Sequence, residues 1–392
     1  MSERMRFVVA VQTGEDTMAA LCRRFGISRK TGYNVLARVA AAGPAGLVDR
    51  SRAPHHRPHA VAPAVREAVL ALRAAHPTWG PKKLVAHLCS TQPEQVWPAP
   101  STVGELLTAA GLVVPRRRRR HVPPRTQPLA HATGPNAVWC ADFKGDFVLG
   151  DATRCYPLTI SDAHSRFLLR CQALPTTATT RVQPLFEATF RSYGLPEVIR
   201  TDNGPPFATT GAGGLSRLSV WWVKLGIRPE RIDPGTPSQN GRHERLHRTL
   251  KAEACRPPEA TLRTQQRAFD RFCHTYNAER PHEALGQVPP ATAYTPSPRP
   301  FPDRLPELTY PAADAVRWVR PNGAIRWQNG EVYLTPALSG EPVGLTQVGD
   351  GVWAMAFGPL VLGHWQARTG KLIPVARRRP AAGDGDGAAA GG

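Results

Sequence analysis

Two hydrophobic periods divide this chain. Between Thr17 and Val39, apolar Met18, Leu21, Cys22 and Phe25 recur at helical spacing, and Gly26 breaks the pattern. Val35, Leu36 and Val39 resume it after Ser28, a residue suited to cap a helix. Two helices joined by a glycine turn are expected, with Arg29, Lys30, Tyr33 and Asn34 on the outward face of the second. VREAVLALRAAHP predicts another amphipathic helix, Pro81 suits the first turn of the next, and Thr102 with Glu105 reads as a capping box for a third. From Asn136 the period shortens. AVWCADFKGDFVL, CYPLTISD and SRFLLRCQAL predict three consecutive antiparallel strands. TTRVQPLFEATFRSYG predicts a helix despite Pro184, LPEVIRTDNG a buried strand ending in a turn, LSRLSVWWVKLGI a helix and IRPERID a short strand. GRHERLHRTLK then opens a basic helix, and TLRTQQRAFDRFCHTYNAERPHEAL predicts one more. Towards the C-terminus the pattern alternates again, with Asn-Gly turns at 322–323 and 329–330 that signal hairpins.

The resulting fold class is multidomain α+β. Helix-turn-helix modules come first, the order three strands, helix, strand, helix, strand, helix predicts a ribonuclease-H-like α/β core with a mixed sheet, and the C-terminal hairpins predict a small β-barrel. Proline-rich and arginine-rich stretches supply the joints. The expected boundaries are a helix-turn-helix domain at 1–52, a linker at 53–63, a second helix-turn-helix domain at 64–114 and a basic linker at 115–135. The catalytic-looking core with its following helix takes 136–295, a further linker 296–315, the barrel 316–375 and a disordered, low-complexity tail 376–392.

Composition narrows the partner. An apolar content of 41% over 392 residues is enough for several cores, and the net charge of +20 with a pI near 10.5 favours a polyanion through counterion release. Nucleic acid, double-stranded DNA included, is the first candidate, with a merely basic ribosomal-type protein or a membrane surface as rivals that charge alone does not decide among. Seven cysteines, never spaced as C-x-x-C, indicate neither a disulfide framework nor a thiolate zinc site. No apolar run approaches the ~20 residues that span a bilayer, and MSERMRF lacks a signal-peptide core, so no membrane and a cytoplasmic, nucleoid-associated location are expected.

Three carboxylates carry the candidate chemistry. Asp142 ends one apolar run, Asp202 opens an Asp-Asn-Gly that ends another, and Glu244 lies at the start of the basic helix. Cleaving or transferring a phosphodiester requires stabilising the phosphoryl oxygens while activating water or a 3′-hydroxyl, and two Mg²⁺ ions about 3.5–4 Å apart do both. Mg²⁺ is hard and takes oxygen ligands, so carboxylates suit it, and Mn²⁺ is expected to substitute. Asp142 would bridge the ions, Asp202 hold one of them and Glu244 complete the other. Arg248 and Lys251 follow Glu244 by four and seven residues on the same helical face, where they suit phosphates. Gln239, Asn240 and His243 at the helix start are expected to touch DNA near the scissile phosphate. The run Arg116, Arg117, Arg118, Arg119 and Arg120 is expected to track the backbone without reading sequence. Asp146 competes with Asp142 for the first ligand because the two share a strand face, whereas Asp151 and Asp162 read as structural or solvated and Trp139 as core.

These motifs resemble the DDE-type insertion-sequence transposases with a retroviral-integrase-like core. The resemblance is carried by Trp139 with Asp142, by Thr201-Asp202-Asn203-Gly204 followed by Phe207, by Pro237 through Glu244 with Lys251, and by TYNAERPHEAL from Thr275 to Leu285. Trp79-Gly80 resembles the pair that precedes the middle helix of that family's second helix-turn-helix. The resemblance implies DNA cleavage and strand transfer by a homo-multimer that binds the terminal inverted repeats of a mobile element and joins them to target DNA. The chain departs from integrases in lacking an N-terminal His/His/Cys/Cys zinc module, and from the usual spacing in carrying a glycine-rich extension at Gly211–Gly214. Two other functions are open. A catalytically inactive DNA-binding regulator would carry the same modules, and His243 to His247 spell H-E-x-x-H, the zinc-metalloprotease pattern, here without a third ligand in sight and on a basic helix.

Overall fold

Ser2 starts a helix that the sequence pattern does not announce. Its hydroxyl accepts the Met5 N–H and caps α1 (Glu3–Gln12), which packs Phe7 and Val8 against α2 (Met18–Arg24) and α3 (Arg29–Ala42). The computed structural model describes residues 2–49, 60–113, 129–232, 241–328 and 330–375, and these fall into two units, Met1–Ala62 and Pro63–Gly392. In the first unit Ser28 caps α3 as expected, accepting the Thr31 N–H at 3.1 Å. Gly32 lets α3 approach closely, since a Cβ there would lie 2.9 Å from both Cys22 Sγ and Phe7 Cζ.

The second unit opens with α4 (Pro63–Ala75), α5 (Pro81–Thr91) and α6 (Pro100–Ala109) around Val69, Trp79, Leu84, Leu88, Val103 and Leu107. Pro81 occupies the first turn of α5, as its fixed φ predicts. The expected Thr102–Glu105 capping box does not form. Pro100 starts α6 two residues earlier, which puts Thr102 inside the first turn, and Ala99 caps the helix with no side-chain bond.

The core is a mixed sheet made by β1 (Val138–Phe143), the two-residue β2 (Phe147–Val148), β3 (Arg154–Asp162), β4 (Leu168–Leu174), β5 (Val198–Thr201) and β6 (Arg228–Arg231). Its order is β4, β3, β1, β5, β6, with β2 also paired to β3. β3 runs antiparallel to both β1 and β4, while β5 is parallel to β1 and to β6. Between them lie α7 (Thr179–Tyr193) and α8 (Arg217–Lys224), followed by α9 (Gly241–Ala254) and α10 (Leu262–His274). This is the expected ribonuclease-H-like arrangement. Alternation along β1 and β3 sorts the two faces: Trp139, Ala141, Leu158 and Ile160 pack on α7 and α8, and the intervening positions, Asp142 and Thr159 among them, look towards α9. α9 and α10 close that face through Leu246, Leu250, Phe269 and Phe272 against Cys155, Leu168 and Cys171.

The last predicted helix is shorter than its pattern. α10 stops at His274, a single π turn covers Thr275–Glu279, and Arg280 is extended because Pro281 disfavours a helical residue before it. Polar groups of this stretch act in packing. Asn277 bonds the Leu168 N–H and C=O at 2.8 and 2.9 Å, and Arg280 pairs with Glu253 of α9.

The C-terminal strands differ from the expected barrel. β7 (Ala315–Trp318), β10 (Pro342–Gly349), β11 (Val352–Phe357), β12 (Leu360–Gln366) and β13 (Lys371–Pro374) form an antiparallel sheet in the order β13, β12, β11, β10, β7, and β8 (Ala324–Trp327) pairs only with β9 (Gly330–Tyr333) among the described residues. The Asn-Gly signals specify local hairpins, but closure requires hydrogen bonds between the outer strands, and the β8–β9 hairpin packs on the sheet through a shared apolar core around Ile325, Val332, Leu345 and Phe357, with Arg317 of β7 over the Trp327 ring. The glycine-rich extension docks this domain. Ala212 N–H donates to Leu334 C=O at 3.1 Å, and Arg231 reaches the carbonyls of Gly213 and Gly214 at 2.6 and 3.3 Å.

Gly194 occupies a tightly constrained turn. It ends α7 at φ 76° and ψ −177°, and a Cβ there would sit 2.6 Å from Ser297 O and 2.8 Å from Arg299 O. Gly194→Ala combines a glycine-only conformation with a backbone clash and is expected to cost on the order of 3 kcal/mol, read as a fall in the urea midpoint at unchanged m-value.

Candidate functional site

β1 and β5 place the two aspartates. Val138, Trp139 and Cys140 stand opposite Val198, Ile199 and Arg200 in parallel register. Continuing that register by two residues would bring Asp142, in β1, level with Asp202, one residue past the end of β5. Asp202 is half-buried one residue past β5, and its Oδ1 accepts the Gly204 N–H at 3.2 Å in the turn that Asn203-Gly204 makes. Burial raises its pKa above the ordinary carboxylate value, partly offset by that N–H. Beneath it, Arg200 bonds Glu230 of β6 through Nε at 2.6 Å, locking β5 to β6.

Asp146 does not share this position. Gly145, at φ 92°, breaks the strand that the sequence pattern draws as continuous, and Asp146 sits in the loop between β1 and β2, paired with Arg154. Asp162 is buried and structural: its carboxylate accepts from Asn136 N–H, Ser165 N–H and the Ser165 hydroxyl at 2.6–2.8 Å. Trp139 is core, with its indole N–H on Asn136 Oδ1.

α9 presents two faces. His243, Leu246, His247, Leu250 and Ala254 are buried, whereas Glu244, Arg248 and Lys251 are exposed on the other side. Glu244 lies in the first turn, where the helix dipole favours a carboxylate. His243, expected to touch DNA, is turned inward instead and is only 3% exposed, because the apolar phase set by Leu246 and Leu250 carries it towards the sheet. Gln239, Asn240 and the run Arg116 to Arg120 lie outside the described residues.

The inward histidines meet Thr159. Its hydroxyl lies 2.7 Å from His243 Nε2 and 2.8 Å from His247 Nε2, and 3.1 Å from the carbonyl of Asp142, its cross-strand partner in β1. A carbonyl only accepts, so the single hydroxyl proton goes to Asp142 and the oxygen accepts from both imidazoles. Both rings therefore carry their proton on Nε2. Burial pushes the pKa of His243 down to about 4 and that of His247 to about 2, the latter also opposed by His243 and Lys144, so both are neutral at pH 7. One nitrogen from each ring and an Asp142 carboxylate oxygen lie within 4.8 Å of one another. Thr159 and His247 carry no expectation from the triad pattern. A lone polar residue in the apolar run of CYPLTISD, and a histidine pair in phase with Leu246 and Leu250, were the signals available.

In the N-terminal unit, Arg29, Lys30, Tyr33 and Asn34 are all exposed at the start of α3, Tyr33 by 59%. Two cations in the first turn oppose the helix dipole, so they do not serve the helix itself. Among the described residues, no helix is long and apolar enough to cross a membrane.

Residues 132–237 and 225–290 match two families described as Integrase core domain, residues 3–55 match Helix-turn-helix domain, and residues 31–107 match Homeodomain-like domain. The chain is 31% identical over 189 residues to the insertion element IS476 uncharacterized 39.2 kDa protein of Xanthomonas euvesicatoria, covering 47% of this chain and 52% of that protein. It is 29% identical over 188 residues to the insertion element IS407 uncharacterized 31.7 kDa protein of Burkholderia multivorans, covering 47% and 65%. The chain thus spans between about half and two thirds of the length of these curated relatives. Among solved structures, the catalytic core domain of HTLV-2 integrase in complex with magnesium is 16% identical, with 42% of this chain and 99% of that one covered and a TM-score of 0.34.

Proposed function

We infer that the chain is an insertion-sequence transposase with helix-turn-helix domains and an integrase-like core, a reading that the Integrase core and helix-turn-helix matches and the likeness to two insertion-element proteins support. It binds the terminal inverted repeats of its element and catalyses metal-dependent DNA cleavage and strand transfer into target DNA, working as a multimer. The observation that supports this reading is the parallel pairing of β1 with β5, whose register, if continued, would bring Asp142 level with Asp202 at the ends of neighbouring strands.

Asp142, Asp202 and Glu244 offer oxygen, which suits Mg²⁺ or Mn²⁺, and Asp202 keeps a second carboxylate oxygen off the Gly204 bond; Glu244 stands on the exposed face of α9 and would have to be brought to the aspartates for the set to close. Bound there, the metal supplies Lewis acidity to the phosphodiester and lowers the pKa of the attacking water or 3′-hydroxyl. The chain's own residues do the rest. The Gly204 N–H fixes the Asp202 carboxylate, and the Thr159 hydroxyl fixes the Asp142 carbonyl, so both aspartates are positioned before DNA arrives. Arg248 and Lys251, exposed beside Glu244, meet the flanking phosphates, and Arg29 and Lys30 meet phosphates near the recognised repeat while Tyr33 and Asn34 face base edges. A phosphate at the start of α3 would also relieve the mismatch between those two cations and the dipole.

The experiment is strand transfer of labelled element ends with Mg²⁺ or Mn²⁺. Joined product is expected from the wild-type chain, none with EDTA, and a loss of ~10³-fold in Glu244→Gln. Specific end binding with no joining under any metal would establish a DNA-binding regulator instead. A metalloprotease is disfavoured by the burial of His243 and His247 against the sheet, which leaves no room for a peptide between them and solvent.

A further inference from the structure

We propose that Asp142, His243 and His247 form a binding site for one borderline transition-metal ion of the Zn²⁺ class, distinct in its ligands from the carboxylate site proposed for Mg²⁺. The three donors lie within 4.8 Å of one another, and they come from two elements held together by an apolar core, β1 and the buried face of α9. A tetrahedral zinc with ligands at 2.0–2.2 Å needs donors about 3.3 Å apart, so closing the site requires the donors to draw together and the Thr159 hydroxyl to yield the point it holds.

Two features make this more than a hydrogen-bond clamp. Both Nε2 atoms converge on a single point, now held by the Thr159 hydroxyl at 2.7 and 2.8 Å, and one histidine would suffice to satisfy that hydroxyl. The rings stand nearly perpendicular, in edge-to-face contact at 87° with centroids 4.6 Å apart, an orientation that lets both Nε2 atoms address one point. Coordination would move the proton of each ring from Nε2 to Nδ1, with no net proton release, and turn the Thr159 hydroxyl aside or into a fourth ligand. Two imidazoles and one carboxylate suit a borderline ion and not Mg²⁺, which prefers oxygen. The site borrows Asp142 from the carboxylate site and rests on that reading only for its consequence, which is that Zn²⁺ inhibits Mg²⁺-dependent strand transfer by engaging Asp142.

The test uses metal-free full-length protein titrated with Zn²⁺ alone by calorimetry, with X-ray absorption at the zinc edge. One equivalent is expected, bound by nitrogen and oxygen with two imidazoles. Affinity should fall at least tenfold in His247→Gln, whose amide can still donate to Thr159, and in Asp142→Asn, but change less than twofold in Glu244→Gln. Sulfur ligands from the cysteines, or unchanged affinity in His247→Gln, would overturn the proposal. An equal loss in Glu244→Gln would also overturn it, by placing the ion among the three carboxylates. If His247→Gln does not fold, the wild-type absorption spectrum still decides, since imidazole scattering is either present or absent. Weakened zinc binding by Asp142→Asn together with full strand transfer by the same variant would leave this site standing and remove the functional reading instead.

Discussion

Asp202→Asn is expected to lose ~10³-fold or more in strand transfer while gaining thermal stability. The two effects have one origin. Asp202 sits half-buried at the end of β5 with a single backbone donor, and burial holds its pKa above the unfolded value. A carboxyl whose folded pKa is raised binds its proton more tightly in the folded state, so the ionised group costs stability at neutral pH. That cost disappears as pH falls through the folded pKa. Asparagine removes the charge, keeps an oxygen for the Gly204 N–H and so removes the cost. It also removes the anionic ligand that a divalent ion requires. Differential scanning calorimetry without metal should give a higher Tm for the variant. Saturating Mg²⁺ should then stabilise the wild type, by about 2.7 kcal/mol at a hundredfold excess over Kd, and leave the variant unmoved. A variant that melts lower would mean that the carboxylate serves the fold, and one that joins DNA at the wild-type rate would exclude Asp202 from the chemistry.

The positions of the aspartates were legible because they depend on local pattern. An apolar run that ends in Asp, and another that ends in Asp-Asn-Gly, announce strand ends from sequence alone, and parallel pairing follows once a helix such as α7 must cross between strands. Pairing between distant strands was less legible. The C-terminal Asn-Gly turns specify hairpins but carry no information about whether β7 and β13 meet, and the sheet stays open. Boundaries failed where proline chemistry overrode a weaker signal, as when Pro100 displaced the Thr102 cap and Pro281 ended the helical path through Arg280.

α9 shows where charge misleads. Its polar residues suggest a basic surface helix with His243 near DNA, yet the helix is fixed by Leu246, Leu250 and Ala254, and the burial of those three carries both histidines inward with them. The outcome is a division of labour on one helix. Glu244, Arg248 and Lys251 face solvent where DNA can reach them, and His243 and His247 hold the sheet through Thr159 at the position opposite Asp142.

That inward face makes the fold acid-sensitive in a window that belongs to histidine. Stability is expected to fall steeply between pH 6.5 and 4, before most carboxylates titrate. An unfolded histidine takes up its proton near pH 6.5, whereas burial holds His243 at about 4, His282 at about 3 and His247 at about 2. Between those values the unfolded chain binds more protons than the folded one, so the free energy of unfolding rises with pH. Each buried neutral histidine contributes a slope of at most about 1.4 kcal/mol per pH unit. Three together approach about 4 kcal/mol per unit, against a stability on the order of 5–15 kcal/mol for a domain. Urea midpoints measured from pH 7.5 to 4.5 should therefore drop sharply below pH 6.5 and stay flat above it. His247→Gln, which keeps a donor for Thr159 and cannot be protonated, should reduce the slope by about a third. A flat profile through pH 5, or an unchanged slope in His247→Gln, would mean that these imidazoles reach solvent and that α9 does not seal the sheet as its apolar face requires.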